Sequence, residues 1–333
     1  MSVKIGINGL GRIGRMVLRL SAENSSVQVV HVNDTMDTHL MCYLIKYDSV
    51  HNRFNGEVEA GDGFIMINGR KITVTHESSP GAIPWGDSEA SVIVESSGKF
   101  KTRDQLEPHF TGMVRKVILS CPPSDDSLDR TVVMGVNHHQ ISRSDRIISN
   151  ASCTTNCVAP MLKVMLDAFG IENAFMSTVH PYTNNQALLD APHDDLRRSR
   201  TAAINIIPTT SSAIRAAIQV LPALQGRFDG AAARVPVPDG SFVELTARVR
   251  KPVNPHVIRE TFRKAADTSM NGIMEYTEDP IVSCDIIGNP HSAIFDAFST
   301  KVLGNDFVRI LAWYDNEYGY SNRILDLARY LDQ

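Results

Sequence analysis

Residues 4–14, Lys4-Ile5-Gly6-Ile7-Asn8-Gly9-Leu10-Gly11-Arg12-Ile13-Gly14, decide the fold. The first five read as a buried parallel strand, and the glycines at 9, 11 and 14 follow it at once. Arg15-Met16-Val17-Leu18-Arg19-Leu20 then has helical periodicity without a breaker. Between a strand and a helix, a GxGxxG run lets the backbone approach a pyrophosphate whose charge the helix N-terminus stabilises. A second strand, Val27–Val32, ends at Asn33-Asp34. Asp34 stands about 20 residues beyond Gly14, where a carboxylate takes the ribose hydroxyls of NAD and repels a 2′-phosphate. The cofactor expected is therefore NAD, on Gly9, Gly11, Gly14 and Asp34.

Further strands are predicted at Phe64–Ile67, Ser91–Glu95, Lys116–Leu119 and residues 146–148. In an open parallel sheet, ligands sit beyond the carboxyl ends of the strands, so Ser97 and Ser120 become candidate cofactor contacts. The 333 residues leave room for a second domain, since one core rarely grows past roughly 250–300 residues. A net charge of -4 gives no basic footprint, and nucleic acid is not expected as the main partner. No apolar run nears the roughly 20 residues that span a bilayer. The opening MSVKIGING enters a strand directly, without room for a signal peptide, so no membrane partner and a cytoplasmic location are expected. Five cysteines, at 42, 121, 153, 157 and 284, show no paired spacing and suit a reducing compartment. Cys153 and Cys157 share a helix face, but without a His or further Cys at ligand spacing no metal site is expected.

Residues 149–160, SNASCTTNCVAP, set Cys153 among small hydroxyl and amide residues just past a strand end, with a helix predicted over Thr155–Leu166. Amides and positive dipole at a helix N-terminus favour a thiolate. A nucleophile needs a base, and Ala174–Val179 delivers His180 at another strand end. The polar stretch that follows, with Arg197, Arg198 and Arg200, is cationic in an acidic chain. Thr209-Thr210-Ser211-Ser212 and Arg234 add hydroxyl and guanidinium donors, a set that suits a phosphorylated substrate.

NGLGRIGR, KYDSVHNRF, SNASCTTNC, TVH, DLRRSRTAAINIIPTT, RVPVP and WYDNEYGYSNR together resemble the phosphorylating glyceraldehyde-3-phosphate dehydrogenases, from about residue 3 to residue 331. The resemblance implies an α/β chain: a Rossmann doubly wound parallel sheet, then an α+β catalytic domain with a mainly antiparallel sheet. The NAD-binding domain would span residues 1–152, completed by a C-terminal helix at 317–333, and the catalytic domain 153–316. Cys153 would be the nucleophile and His180 the base, with Ser152 and Thr154 flanking the attack site. Thr183, Arg198, Ser211, Ser212 and Arg234 would hold substrate phosphate and inorganic phosphate. Arg12, Ile13, Asp34, Ser97, Ser120 and Asn316 fall at the family's NAD contacts. A homotetramer is implied, acting on glyceraldehyde 3-phosphate through a thioester, with residues 184–204 near a subunit interface.

Several positions depart from the family pattern. Ser211-Ser212 replace a usual Thr-Gly, Asn52 stands where glycine usually follows the histidine of KYDSVH, and Glu77-Ser78-Ser79-Pro80 lacks an arginine common near the cofactor. Ala191-Pro192 mixes features of NADP-accepting and NAD-specific relatives. Residues 124–129 look somewhat like the sister erythrose-4-phosphate dehydrogenases, whereas Thr183 in His180-Pro181-Tyr182-Thr183 follows the phosphorylating branch. A chain that kept the fold as a binding or regulatory protein is the alternative of another class, against which the intact Cys153 and His180 stand.

Overall fold

The computed structural model describes residues 2–332, so Met1 and Gln333, the outer ends of the expected first domain, lie outside the described residues. The chain divides into two compact units. One holds the chain up to Val132, His139–Ala151 and the part from Ser321 on; the other holds Val133–His138 and Ser152–Tyr320.

The first unit is built on a nine-stranded sheet. In spatial order its strands are Val58–Gly61, Phe64–Ile67, Arg70–Thr75, Val27–Asn33, Val3–Asn8, Val92–Glu95, Lys116–Leu119, Ile147–Ser149 and Arg130–Thr131. The order runs outward in both directions from Val3–Asn8, the doubly wound pattern, with its switch point between that strand and Val92–Glu95. Ile5, Ile7, Ile93, Val94, Val117 and Ile147 are buried, which is why these strands read as apolar runs rather than alternations. The helix Arg12–Glu23 buries Met16, Val17 and Leu20. From Arg70–Thr75 to the far edge all pairings are parallel. Phe64–Ile67, expected within the parallel set, is instead antiparallel to both neighbours. The reason is local: Asn68 and Gly69 have φ of 50° and 74°, a two-residue turn that can only send the chain straight back.

The second unit carries a seven-stranded sheet in the order Ile207–Thr209, Phe228–Val235, Ile171–Pro181, Ser241–Val249, Phe307–Tyr314, Ala293–Leu303, Met274–Thr277. Four pairings are antiparallel and two parallel, so the sheet is mainly antiparallel. The helix Cys153–Phe169 lies on this sheet and against the helices Ala213–Val220 and Pro255–Asp267. With neighbours on both sides it is buried almost all round from Thr154 to Leu162, which explains its weakly amphipathic sequence.

Asn52 has φ 62°. The position therefore sits in the left-handed region that glycine meets without strain and asparagine tolerates better than other residues.

Candidate active site and dinucleotide cleft

At the switch point of the first unit a cavity of about 230 Å³ is lined by Gly9, Gly11, Asp34, Glu77 and Ser97 among others. Two of the three glycines are required by contact. Gly9 has φ +92°, and a Cβ there would lie 2.4 Å from the Ser97 nitrogen; a Cβ on Gly14 would lie 2.0 Å from the Gly9 oxygen. Gly11 meets nothing within 4 Å, which leaves its backbone open to a ligand. Asp34 is held in place at both oxygens: Oδ2 accepts from the Leu10 N–H at 2.6 Å and Oδ1 from the Met36 N–H at 2.9 Å. These residues fit an NAD molecule, with backbone free for the pyrophosphate and a fixed carboxylate for a ribose.

The structure brings Gly9, Gly11, Asp34 and Ser97 to one cavity, with Gly14 beneath it. Arg12 is turned instead to Asp48, donating through Nη1 and Nη2 at 2.5 and 3.1 Å. Those bonds, with the His51 hydrogen bonds, hold the Asp48 carboxyl well below the usual carboxylate range despite its burial. Ile13 is half-buried in the same helical turn. Ser120 follows the strand Lys116–Leu119, and its N–H donates to the Glu95 oxygen. Asn316 belongs to the second unit, where it is buried and accepts from the Ser241 hydroxyl at 2.8 Å.

Sequence reasoning missed what lies under this cleft. Glu95 and His109 are both buried and bonded at 3.0 Å. The Glu95 Oε2 also accepts from Asn8 Nδ2 at 2.6 Å, while Oε1 accepts the Ser97 N–H and hydroxyl at 2.8 and 2.5 Å. The Trp85 indole N–H donates to His109 Nδ1, so the His109 proton sits on Nε2 and points at Glu95. Ser97 thus spends its own hydrogen on Glu95 and offers only lone pairs to the cleft. A carboxylate at a strand end, with histidine and tryptophan within fifteen residues, was the available signal.

In the second unit the helix begins at Cys153, two residues ahead of the predicted start. Ser152 caps it: its Oγ accepts from the Thr155 N–H at 3.1 Å and its carbonyl from the Asn156 N–H. The residue before, Ala151, has φ 56°, an uncommon conformation for alanine that turns the chain into the cap. The hydroxyl of Thr154 is buried and bonded to Tyr314 at 2.9 Å, and the same Tyr314 hydroxyl reaches Thr178 at 3.3 Å. Ser152 and Thr154 therefore frame the cysteine by holding the helix end, and Tyr314 and Thr178 join them unanticipated.

Cys153 Sγ lies 3.4 Å from His180 Nε2. His180 is the penultimate residue of its strand rather than a residue beyond it, and Arg234 is its register partner on the adjacent parallel strand. Arg234 Nη1 lies 2.9 Å from His180 Nδ1 and 2.8 Å from the Pro181 oxygen. The expected lowering of the thiol is not what the ligand-free protein has. Burial raises Cys153 to about 11, against the pull of the Arg234 charge and of hydrogen bonds from Thr154. Burial, with Arg234 adding to it, lowers His180 to about 3. Desolvation thus opposes ionisation of both groups, while the Arg234 charge favours the thiolate and disfavours the imidazolium.

The phosphate candidates gather in part. Arg198 donates through Nε and Nη2 to the Thr209 hydroxyl at 2.9 and 2.7 Å, and its charge bears on Arg234. Two guanidinium groups sharing one neighbourhood repel unless an anion lies with them. Thr183 is half-buried, its hydroxyl accepting from the Asn185 N–H at 3.4 Å. Ser211 accepts from the Ala213 N–H, and Ser212 stands at the N-terminus of Ala213–Val220 without using its side chain as a cap. Ser212 has φ -68° and ψ -11°, so no glycine-only backbone is needed there.

A Rossmann sheet with a dinucleotide cleft, and a second unit presenting a cysteine–histidine pair with arginines, define an NAD-dependent oxidoreductase. The chain belongs to the glyceraldehyde-3-phosphate dehydrogenase family: residues 3–103 match the family's NAD binding domain and residues 152–316 its C-terminal domain. It is 47% identical over 329 residues to glyceraldehyde-3-phosphate dehydrogenase 1 of Bacillus cereus, covering 98% of each chain. Identity to the glyceraldehyde-3-phosphate dehydrogenases of Geobacillus stearothermophilus and Thermotoga maritima is 45% and 46%, each over 98% or more of both chains. Among the described residues, no helix is long and apolar enough to cross a membrane.

Proposed function

We propose that the protein oxidises glyceraldehyde 3-phosphate to an acyl phosphate, using NAD and inorganic phosphate, through a thioester on Cys153. The observation that carries this reading is the 3.4 Å approach of Cys153 Sγ to His180 Nε2 beside Arg234. His180, neutral and buried, takes the thiol proton as sulfur adds to the aldehyde carbon, and returns it to the new alkoxide. The Cys153 amide, in the first helical turn, is a donor for that oxygen. His180 then withdraws the same proton as the carbon gives up hydride, leaving a thioester. Gly9, Gly11 and Asp34 would hold NAD, which would supply the hydride acceptor. Inorganic phosphate attacks the thioester carbonyl, the carbon–sulfur bond breaks, and the departing sulfur takes back the proton held by His180. Arg198 and Arg234 hold the phosphate groups, with Thr183, Ser211 and Ser212 completing the shell.

The protein is read as a cytoplasmic homotetramer. Leu188, Leu189, Leu196, Ile204 and Ile206 are all exposed within one short stretch of the chain, which supports a subunit contact there. The cysteines are free, which suits a reducing compartment. The test is NADH formation from glyceraldehyde 3-phosphate, comparing NAD with NADP and phosphate with none. Phosphate-dependent turnover with NAD, lost in Cys153→Ser, is expected. Turnover independent of phosphate and faster on erythrose 4-phosphate would reject the reading, as would full activity in a folded Cys153→Ser.

A further inference from the structure

We propose that Glu95 holds the Ser97 hydroxyl as an acceptor only, and so selects a dinucleotide whose ribose presents a hydroxyl over one whose ribose carries a phosphate. The inference rests on the dinucleotide reading of the cleft and is independent of the chemistry at Cys153. Hydrogen positions around Glu95 are fixed from two ends by groups that cannot accept. At one end the Trp85 indole N–H donates to His109 Nδ1, which leaves His109 Nε2 to donate to Glu95 Oε2. At the other, the Glu77 backbone N–H donates to Asn33 Oδ1 at 2.9 Å. Asn33 Nδ2 therefore donates to Asn8 Oδ1 at 2.8 Å, and Asn8 Nδ2 donates to the same Glu95 oxygen as His109. With Oε2 filled by two donors, Oε1 takes the Ser97 N–H and the Ser97 hydroxyl.

The Ser97 oxygen then has two lone pairs. The Lys99 N–H, 3.2 Å away, takes one, and the other is left for the cavity that Ser97 lines together with Asp34. The Asp34 carboxylate offers no hydrogen either. A ribose hydroxyl donates to such a wall. A phosphate brings only acceptor oxygens to it, and recruits the Ser97 hydrogen only by taking it from a buried carboxylate, whose charge strengthens the bond. Asp34 thus opposes the phosphate by charge, while Ser97 denies it a hydrogen bond. Glutamine at position 95 inverts the serine. Its NH₂, turned to Ser97, donates to the serine oxygen, the Lys99 N–H keeps the second lone pair, and the hydroxyl hydrogen is left for the cavity. Glu95 is on this account a positioning residue that acts on the ligand through Ser97.

The experiment is calorimetric titration of the full-length protein with ADP-ribose and with ADP-ribose 2′-phosphate, reading the ratio of the two dissociation constants. A loosened cleft weakens both ligands together and leaves that ratio alone. Glu95→Gln should move the ratio about tenfold toward the 2′-phosphate, the worth of one hydrogen bond gained. Ser97→Ala should move it about fivefold in the same direction, through weaker binding of ADP-ribose alone. Adding Glu95→Gln to Ser97→Ala should then change the ratio by less than about twofold, because the serine that transmits the effect is gone. A ratio unmoved in Glu95→Gln or in Ser97→Ala would overturn the proposal. So would a Glu95→Gln gain that survives in full without the serine, since the carboxylate would then act by its charge. Should Glu95→Gln fail to fold, Ser97→Ala still decides, and equal weakening of both ligands there is the overturning result. Failure of the wild type to bind ADP-ribose at all would instead sink the reading of the cleft, and the proposal with it.

Discussion

Glu95→Gln probes the polar network under the dinucleotide cleft. The carboxylate accepts four hydrogen bonds, two at each oxygen, and is buried. Glutamine places an NH₂ where one oxygen was. Turned toward Asn8 and His109, it meets two donors that cannot both adapt, because Trp85 already donates to the other His109 nitrogen. Turned toward Ser97, it loses less: the serine hydroxyl can rotate and accept, leaving only the Ser97 N–H without a partner. An unpartnered buried N–H costs about 1–3 kcal/mol, and the loss of charge assistance in the remaining bonds adds roughly 1 kcal/mol, for a total of about 2–4 kcal/mol. Urea unfolding at pH 7, followed by tryptophan fluorescence and circular dichroism without NAD, measures it. Because Ser97 faces the cleft, the KM for NAD should rise while kcat changes little. A midpoint shift equivalent to under about 0.5 kcal/mol, the scatter of ordinary surface substitutions, would show that the network does not hold as described.

Three further outcomes follow from the same geometry. Gly14→Ala should raise the KM for NAD at least tenfold or leave the first unit unfolded, since its Cβ would stand 2.0 Å from the Gly9 oxygen; unchanged NAD affinity by titration calorimetry would contradict this. His31 is lowered to about 4 by burial, with Asp87 pulling the other way. As pH falls from about 6.5 to 4 the unfolded chain takes up a proton that the folded chain refuses, so up to about 3 kcal/mol of stability present at pH 7 is lost on acidification. Urea midpoints at pH 7 and pH 5 should converge in His31→Leu relative to wild type, and equal acid sensitivity in both would refute the assignment. Tyr314→Phe removes the hydroxyl shared by Thr154 and Thr178 and should cost about 1–2 kcal/mol. A kcat loss without that loss of stability would mean that Tyr314 does more than support the helix end.

The parts of this fold that were legible are those written in consecutive residues. Lys4–Gly14 carries its strand, turn and helix start within eleven positions, and the glycine contacts at 9 and 14 follow from that spacing. The strands Val27–Asn33 and Lys116–Leu119 are legible because β-branched and apolar residues mark them. Phe64–Ile67 was legible as a strand but its direction was not, since Asn68-Gly69 had to be read as a turn. The relation between His180 and Arg234 was out of reach: it depends on register between strands 54 residues apart, which no local pattern specifies. The same holds for Tyr314 beneath Thr154, 160 residues away. The pull of Arg234 on the Cys153 thiol was equally out of reach, 81 residues away in the chain.

The membership of the chain from Ser321 onward in the first unit has a consequence for synthesis. Ile324, Leu325, Leu327 and Ala328 are buried there, although every strand of that unit's sheet precedes them by more than 170 residues. On the ribosome, the nine strands emerge while the last stretch of the same compact unit has yet to be translated. The first unit must therefore wait, with apolar surface open to water or to a chaperone, until the whole second unit has passed through the exit tunnel. A chain released before Ser321 would carry all the groups that line the dinucleotide cavity and still lack the buried face that closes the unit.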